Sequence, residues 1–175
     1  LGGRCRQEID VAGYFPSAVS TDSIQLSADR PVLGVEMYGD PTSLACLQAL
    51  PSGQASGPLY SPHVAVGDFG IHWYSRLTVV NTKDSGANVQ VTLYNDSGAA
   101  QAQTSFYLPG RGKADVDLAD LFSLAQPTSG YLVLNPQGAG GIVGHITFGD
   151  AAAGAFVSSL PLQASPSDHY LLGHI

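Results

Sequence analysis

Five histidines, His63, His72, His145, His169 and His174, are the side chains best suited to metal binding or to acid–base chemistry near neutral pH. None has the spacing of a helical zinc motif. His63 and His174 occupy equivalent places in an internal repeat, which favours a structural duty at the start of a strand over ligation. Asp115 and Asp117, with Glu8 and Asp10 as their repeat counterparts, are carboxylate pairs of the kind that hydrolyses glycosides. Both are i, i+2 neighbours beside a turn, so a solvated strand face accounts for them better. Asp40 and Asp150 sit in matched Gly-Asp turns. Calcium wants several such oxygens together, whereas a turn wants one aspartate. Gly138-Ala139-Gly140-Gly141 precedes a strand pattern and offers phosphate no helix start. Asp68-Phe69-Gly70 lacks every companion kinase motif, and no G-x-S-x-G elbow occurs. Asn95-Asp96-Ser97 is a glycosylation sequon, meaningful in a eukaryotic secretory setting. No catalytic, cofactor or metal site is expected, and the chain does not read as an enzyme.

Binding chemistry is the better prospect. Tyr74 and Tyr94 project from the polar side of their strands, with His72 and Arg76 beside Tyr74. Exposed aromatics serve as sugar platforms or as contact points for a protein neighbour. The bland alternative is that they lie under a loop or under the N-terminal segment. Cys5 and Cys46 both fall in the N-terminal third, where they suit either one disulfide or two free thiols.

The elements that must position these residues come in two copies. VLGVEMYGDPTSLACLQALP at 32–51 matches IVGHITFGDAAAGAFVSSLP at 142–161 through Gly34/Gly144, Gly39/Gly149, Asp40/Asp150, Ala45/Ala155, Leu50/Leu160 and Pro51/Pro161. Residues 1–15 align on 108–122, and Leu59–Val64 on Tyr170–Ile175. The unit is therefore ~110 residues, too long for a solenoid and apt for a β-sandwich domain of about 100. The expected division is a partial first repeat at 1–62, a complete one at 63–162, and a linker with the opening strand of another at 163–175.

The complete copy alternates with period two. Trp73, Leu77 and Val79 oppose His72, Tyr74, Arg76 and Thr78, and Val89, Val91 and Leu93 oppose Gln90, Thr92 and Tyr94. Phe106 and Leu108 form the next inward pair. Asn95-Asp96-Ser97-Gly98 is a hairpin turn. The only helix expected is one or two turns over 119–125, closed by Pro127; its first-copy twin, with Gly13 and Pro16, is a turn at most. In the repeated strand the apolar face switches sides, from Leu33, Val35 and Met37 in one copy to Ile142, Ile146 and Phe148 in the other. That strand is expected to be covered on both faces or to show its partner a different one, so that 1–64 packs on the complete copy and 1–175 is one unit.

Charged residues make up 12% of the chain, about half the usual share, and the net charge is −7 with seven Lys and Arg in all. That argues against nucleic acid and anionic membranes as partners. No apolar run of about 18 residues could span a bilayer. The start lacks the apolar core of a signal peptide, so a secreted form would have its leader upstream or removed. The Gly-, Ser- and Thr-rich composition leans extracytoplasmic.

His63-Val64-Ala65-Val66-Gly67, the run Trp73 to Asn81, Gly98 and Gly130-Tyr131-Leu132 together resemble a loose group of bacterial secreted β-sandwich repeats. These have a His-bearing first strand, a Trp before a strand ending in Val-Asn, and a closing strand with Phe-Gly. The resemblance implies an extracellular multidomain setting and carries over no catalytic residue. The expectation is an all-β antiparallel sandwich, Ig-like or jelly-roll-like, of about 1.6 repeats. Its expected role is non-enzymatic: an extracellular or cell-surface module that contacts protein neighbours, as a homo-oligomer or filament. The strand His169, Tyr170, Leu171, Leu172 to Ile175 would add to an open sheet edge of the next subunit. The alternative is a carbohydrate-binding module.

Overall fold

The structure, a computed structural model, describes residues 6–19, 22–51, 57–138 and 141–164. In chain order its elements are α1 (Val11–Tyr14), β1 (Val35–Gly39), β2 (Leu44–Gln48), β3 (Leu59–Asp68), β4 (His72–Asn81), β5 (Ala87–Tyr94), β6 (Ala100–Leu108), β7 (Lys113–Asp117), α2 (Leu118–Phe122), β8 (Thr128–Gln137), β9 (Ile142–Asp150) and β10 (Val157–Pro161). Every strand pairing is antiparallel, and the fold is all-β.

The alternation over His72–Asn81 makes β4 the strand with most partners. One edge ladders on β9 from Trp73 opposite Asp150 to Asn81 opposite Ile142. The other takes β3 at Gly67 and Asp68, then β7 from Arg76 to Val80. From Arg76 to Val80 the strand is thus paired on both edges, while Leu77 and Val79 are fully buried. β3 changes partners along its length: residues 59–66 pair with β8, with a bulge between Ser61 and Val64, and its end pairs with β4. It runs unbroken across the boundary expected at residue 62. Tyr60 and Gln163 exchange two backbone hydrogen bonds of 2.9 Å, which ties the start of the expected linker to this strand. β8 continues to β5 and β5 to β6, giving the order β10-β9-β4-β3-β8-β5-β6 with β7 against β4. One apolar cluster gathers Leu59, Val64, Leu77, Val89, Val91, Leu93, Leu132, Leu134, Ile142 and Ile146 from β3, β4, β5, β8 and β9, with Leu118 of α2.

Gly130 has φ 153°, and a Cβ there would collide with the Tyr94 carbonyl oxygen. Its lack of a side chain is what lets β8 close on β5.

Both short helices start in the same way. Asp117 accepts from the Ala119 N–H, and its repeat equivalent Asp10 accepts from the Gly13 N–H, so each aspartate is an N-cap. The expected helix over 119–125 is corrected to Leu118–Phe122. Ser123, in the left-handed region at φ 53°, ends it, and Pro127 lies well beyond. The first-copy twin is a single helical turn, Val11–Tyr14.

Apart from α1, residues 6–34 hold no helix or strand among those described. β1 and β2 form a separate two-stranded sheet that lies against β10. Ala45 and Leu47 are buried there. Tyr38 reaches from β1 to bond the Thr147 hydroxyl at 2.8 Å and also the Ser159 hydroxyl, and Thr147 and Ser159 bond each other at 2.8 Å. The opposite face is open, with Leu33 94%, Val35 62%, Met37 62% and Leu44 58% exposed. Of the two expectations for this strand, coverage on both faces is corrected. A two-stranded hairpin is marginal alone, so Tyr38 is what seats it. Tyr38→Phe should cost about 1 kcal/mol locally. Amide exchange over 35–48 should then speed up several-fold while β4 exchange stays unchanged.

Candidate functional site

Because side chains alternate along β4, Tyr74, Arg76 and Thr78 share the face away from the core. The ladders then set their neighbours. Arg76 lies between Asp117 and Thr147, Thr78 between Asp115 and His145, and Tyr74 beside Gly149. Arg76 Nε donates to Asp115 Oδ1 at 2.6 Å, and Thr78 Oγ1 donates to the same oxygen at 3.2 Å. The hydrogen bond it donates to Asp115 holds the Arg76 guanidinium above its already high range. Half-exposed as it is, the pair is worth at most about 1 kcal/mol. Asp115 and Asp117 both have structural work: one pairs with Arg76, the other caps α2.

The β1–β2 hairpin roofs one end of this face and leaves a cleft lined by Tyr38, Asp40, Ser43, Tyr74, Asp150 and Phe156. Burial, then the nearby Tyr38, pushes the Tyr74 phenol up, so it stays protonated and can donate or accept. Asp40 and Asp150 reach the cleft from equivalent turns and fold those turns identically. Asp40 Oδ1 accepts from the N–H groups of Thr42 and Ser43, and Asp150 Oδ1 from those of Ala152 and Ala153. The Thr42 hydroxyl and backbone bonds hold Asp40 below the usual carboxylate range. Among the described residues no three His, Cys, Asp or Glu side chains gather where a metal ion could bind.

The four expected binding residues do not converge. His72 and Arg76 flank Tyr74 along β4, and His72 is exposed. Tyr94 stands on β5, separated from β4 by β3 and β8. It stacks on Tyr131 with ring centroids 5.1 Å apart and planes 10° from parallel. Tyr74 and Tyr94 therefore occupy two separate aromatic places. Tyr38 and Tyr131 are the residues that sequence reasoning passed over. Tyr131 was open to inference as the cross-strand neighbour of Tyr94 once β5 and β8 were paired; Tyr38 had no local signal.

Cys46 is an exposed free thiol on the open face of β2, while Cys5 lies outside the described residues. The assembly strand His169, Tyr170, Leu171, Leu172 and Ile175 also lies outside them, as does His174.

No protein-family model and no curated protein matches the chain. Its fold is similar to that in the crystal structure of Thermotoga maritima 1070, at a TM-score of 0.53 and 12% identity, covering 66% of this chain and 97% of that one. At that identity the likeness concerns the fold alone.

His63 sits in an aromatic cluster. Its ring lies 4.4 Å from Phe148 and 6.0 Å from Trp73, and Trp73 also meets Phe156 at 5.2 Å. Its Nε2 is buried without a hydrogen-bond partner among the described residues. Burial pushes His63 below its ordinary 6.5. His145 is pushed down as well, chiefly by burial, with Asp115 opposing and Lys113 reinforcing. A histidine depressed in the folded state takes up protons first when unfolded. Stability is then full above about pH 6.5 and falls as pH drops from there toward the folded values. Thermal melts between about pH 7.5 and about pH 5 should show this loss, and His63→Phe should make it shallower. An equal loss in wild type and variant would place the titration elsewhere.

Proposed function

We propose that this chain is a non-enzymatic extracellular or cell-surface module that works through contacts with neighbouring protein. We read it as a two-layer β-sandwich folded about β3, carrying a partial second copy of the same unit. The observation that carries this reading is the bare apolar surface of the N-terminal copy. Val11 and Val32 are 41% and 50% exposed, while their repeat equivalents Leu118 and Ile142 are fully buried in the core. Phe15 is exposed as well, whereas its equivalent Phe122 packs against that core. The outer face of β1 and β2 adds Leu33, Val35, Met37 and Leu44. Apolar surface at positions that are core in the twin copy supports a role as a contact face.

The partner we assign is the C-terminal strand of a neighbouring copy. Tyr170–Ile175 aligns with Leu59–Val64 of β3, the strand that contributes Leu59 and Val64 to the complete core. Strand addition supplies main-chain hydrogen bonds and alternate side-chain pockets, and a head-to-tail contact that does not close yields filaments. Deleting 167–175, or making Val35→Lys with Met37→Lys, should abolish head-to-tail growth in light scattering and leave the protein folded. Growth that continues in both variants would contradict the reading.

The low charge and the resemblance to secreted repeats support the extracellular setting. A second reading, carbohydrate binding, draws on the cleft beside Tyr74 and on the Tyr94–Tyr131 stack. It predicts glycan-array binding that Tyr74→Ala or Tyr94→Ala weakens at least tenfold; binding by wild type and both variants alike would remove it.

A further inference from the structure

We infer that β6 is a self-association edge, at which two copies of this chain pair their β6 strands antiparallel about a twofold axis. This surface is independent of the N-terminal face. An open edge presents unpaired N–H and C=O groups, and natural proteins blunt such edges with short strands, charges or prolines. Two edge strands here follow that rule. β7 has five residues and carries Lys113, Asp115 and Asp117. β10 has five, ends in Pro161 and lies against β2. β6 does not follow it. It is nine residues long, Ala-Gln-Ala-Gln-Thr-Ser-Phe-Tyr-Leu, with no charge, proline or glycine, and among the described residues only β5 pairs with it.

The side-chain pattern of β6 is incomplete in a way a further strand would complete. Ala102, Thr104, Phe106 and Leu108 lie opposite Leu93, Val91, Val89 and Ala87, so they face the core. Only Leu108 is fully covered; Ala102, Thr104 and Phe106 are half-buried. Gln101, Gln103, Ser105 and Tyr107 face outward and are exposed.

The same pattern points to β6 itself as the partner. An antiparallel partner must keep inward residues inward, and a twofold axis through any β6 residue does so. Centring on Thr104 uses all nine residues. Ala102 then faces Phe106 of the second copy, and Thr104 faces its own equivalent. Gln103 faces Ser105, and Gln101 faces Tyr107. Small meets large, polar meets polar, and threonine meets threonine, the last a favourable cross-strand pair. The pairing also brings no charges together, which matters in a chain of net charge −7.

Sedimentation of the full chain tests this. With head-to-tail growth removed by Val35→Lys and Met37→Lys, the chain should sediment as a dimer, and adding Gln103→Lys with Ser105→Lys, at two exposed positions that face each other across the axis, should halve the mass while the far-ultraviolet spectrum is kept. In a Cys5→Ser, Cys46→Ser background, Thr104→Cys should oxidise to a covalent dimer, because position 104 faces itself. Gln101→Cys should not. Val35→Lys with Met37→Lys should leave this dimer intact. A monomeric wild type, or a dimer that survives the β6 lysines in the Val35→Lys, Met37→Lys background, where head-to-tail growth is removed, would overturn the inference. Association lost only with the Val35 and Met37 variant would also overturn it and leave the N-terminal contact standing.

Discussion

A strand buried in the middle of a sheet must have every backbone N–H and C=O paired, on both edges and along its whole length. β4 comes close to that demand with three partners: β9 along one edge from Trp73 to Asn81, and on the other β3 at His72 and Trp73, then β7 from Arg76 to Val80. Leu77 and Val79 can therefore be fully buried without stranding a polar group. The remaining placements follow from this ladder. It sets His145 and Asp115 on either side of Thr78, and Thr147 and Asp117 on either side of Arg76. It also stacks Trp73 over Phe148 at the end where His63 packs. Removing Leu77 would cost about 2–5 kcal/mol, a large part of what holds a domain together.

The N-terminal copy has no such centre. Its hairpin is held by Ala45 and Leu47 on one side and by three hydroxyls, those of Tyr38, Thr147 and Ser159. A hydroxyl cluster suits a docked element better than a core, because each bond is modest in net worth but costly to leave unmade. The hairpin can thus seat on the outer face of β9 and β10 while its own apolar side stays open. Two surfaces then ask for partners by different physics: the N-terminal face through unburied apolar area, and β6 through unpaired backbone.

Local chemistry was legible in the sequence where one residue decides it. The two faces of β4 and the inward pair Phe106 and Leu108 follow from a period of two. The Asp40 and Asp150 turns repeat because identical side chains bond equivalent backbone N–H groups, whereas the Asp10 and Asp117 caps, read in the sequence as a solvated strand face, were not legible. The end of α2 was not legible, since a serine in the left-handed region has no signature comparable to glycine. Nor was Tyr38, whose bonds to Thr147 and Ser159 span more than a hundred residues. The separation of Tyr74 from Tyr94 depends on strand order, which alternation alone does not specify. The switched apolar face of β1 was visible as a conflict between copies, but only the docking of the hairpin against β10 decided which side turned outward.

Hydrogen exchange followed by mass spectrometry, run on the full chain across a range of concentrations, tests most directly whether the open surfaces are contact surfaces. Protection at residues 33–48 and 100–108 should rise with concentration, while β4 and β9 exchange at a constant slow rate. Exchange that is independent of concentration in both segments would contradict the account.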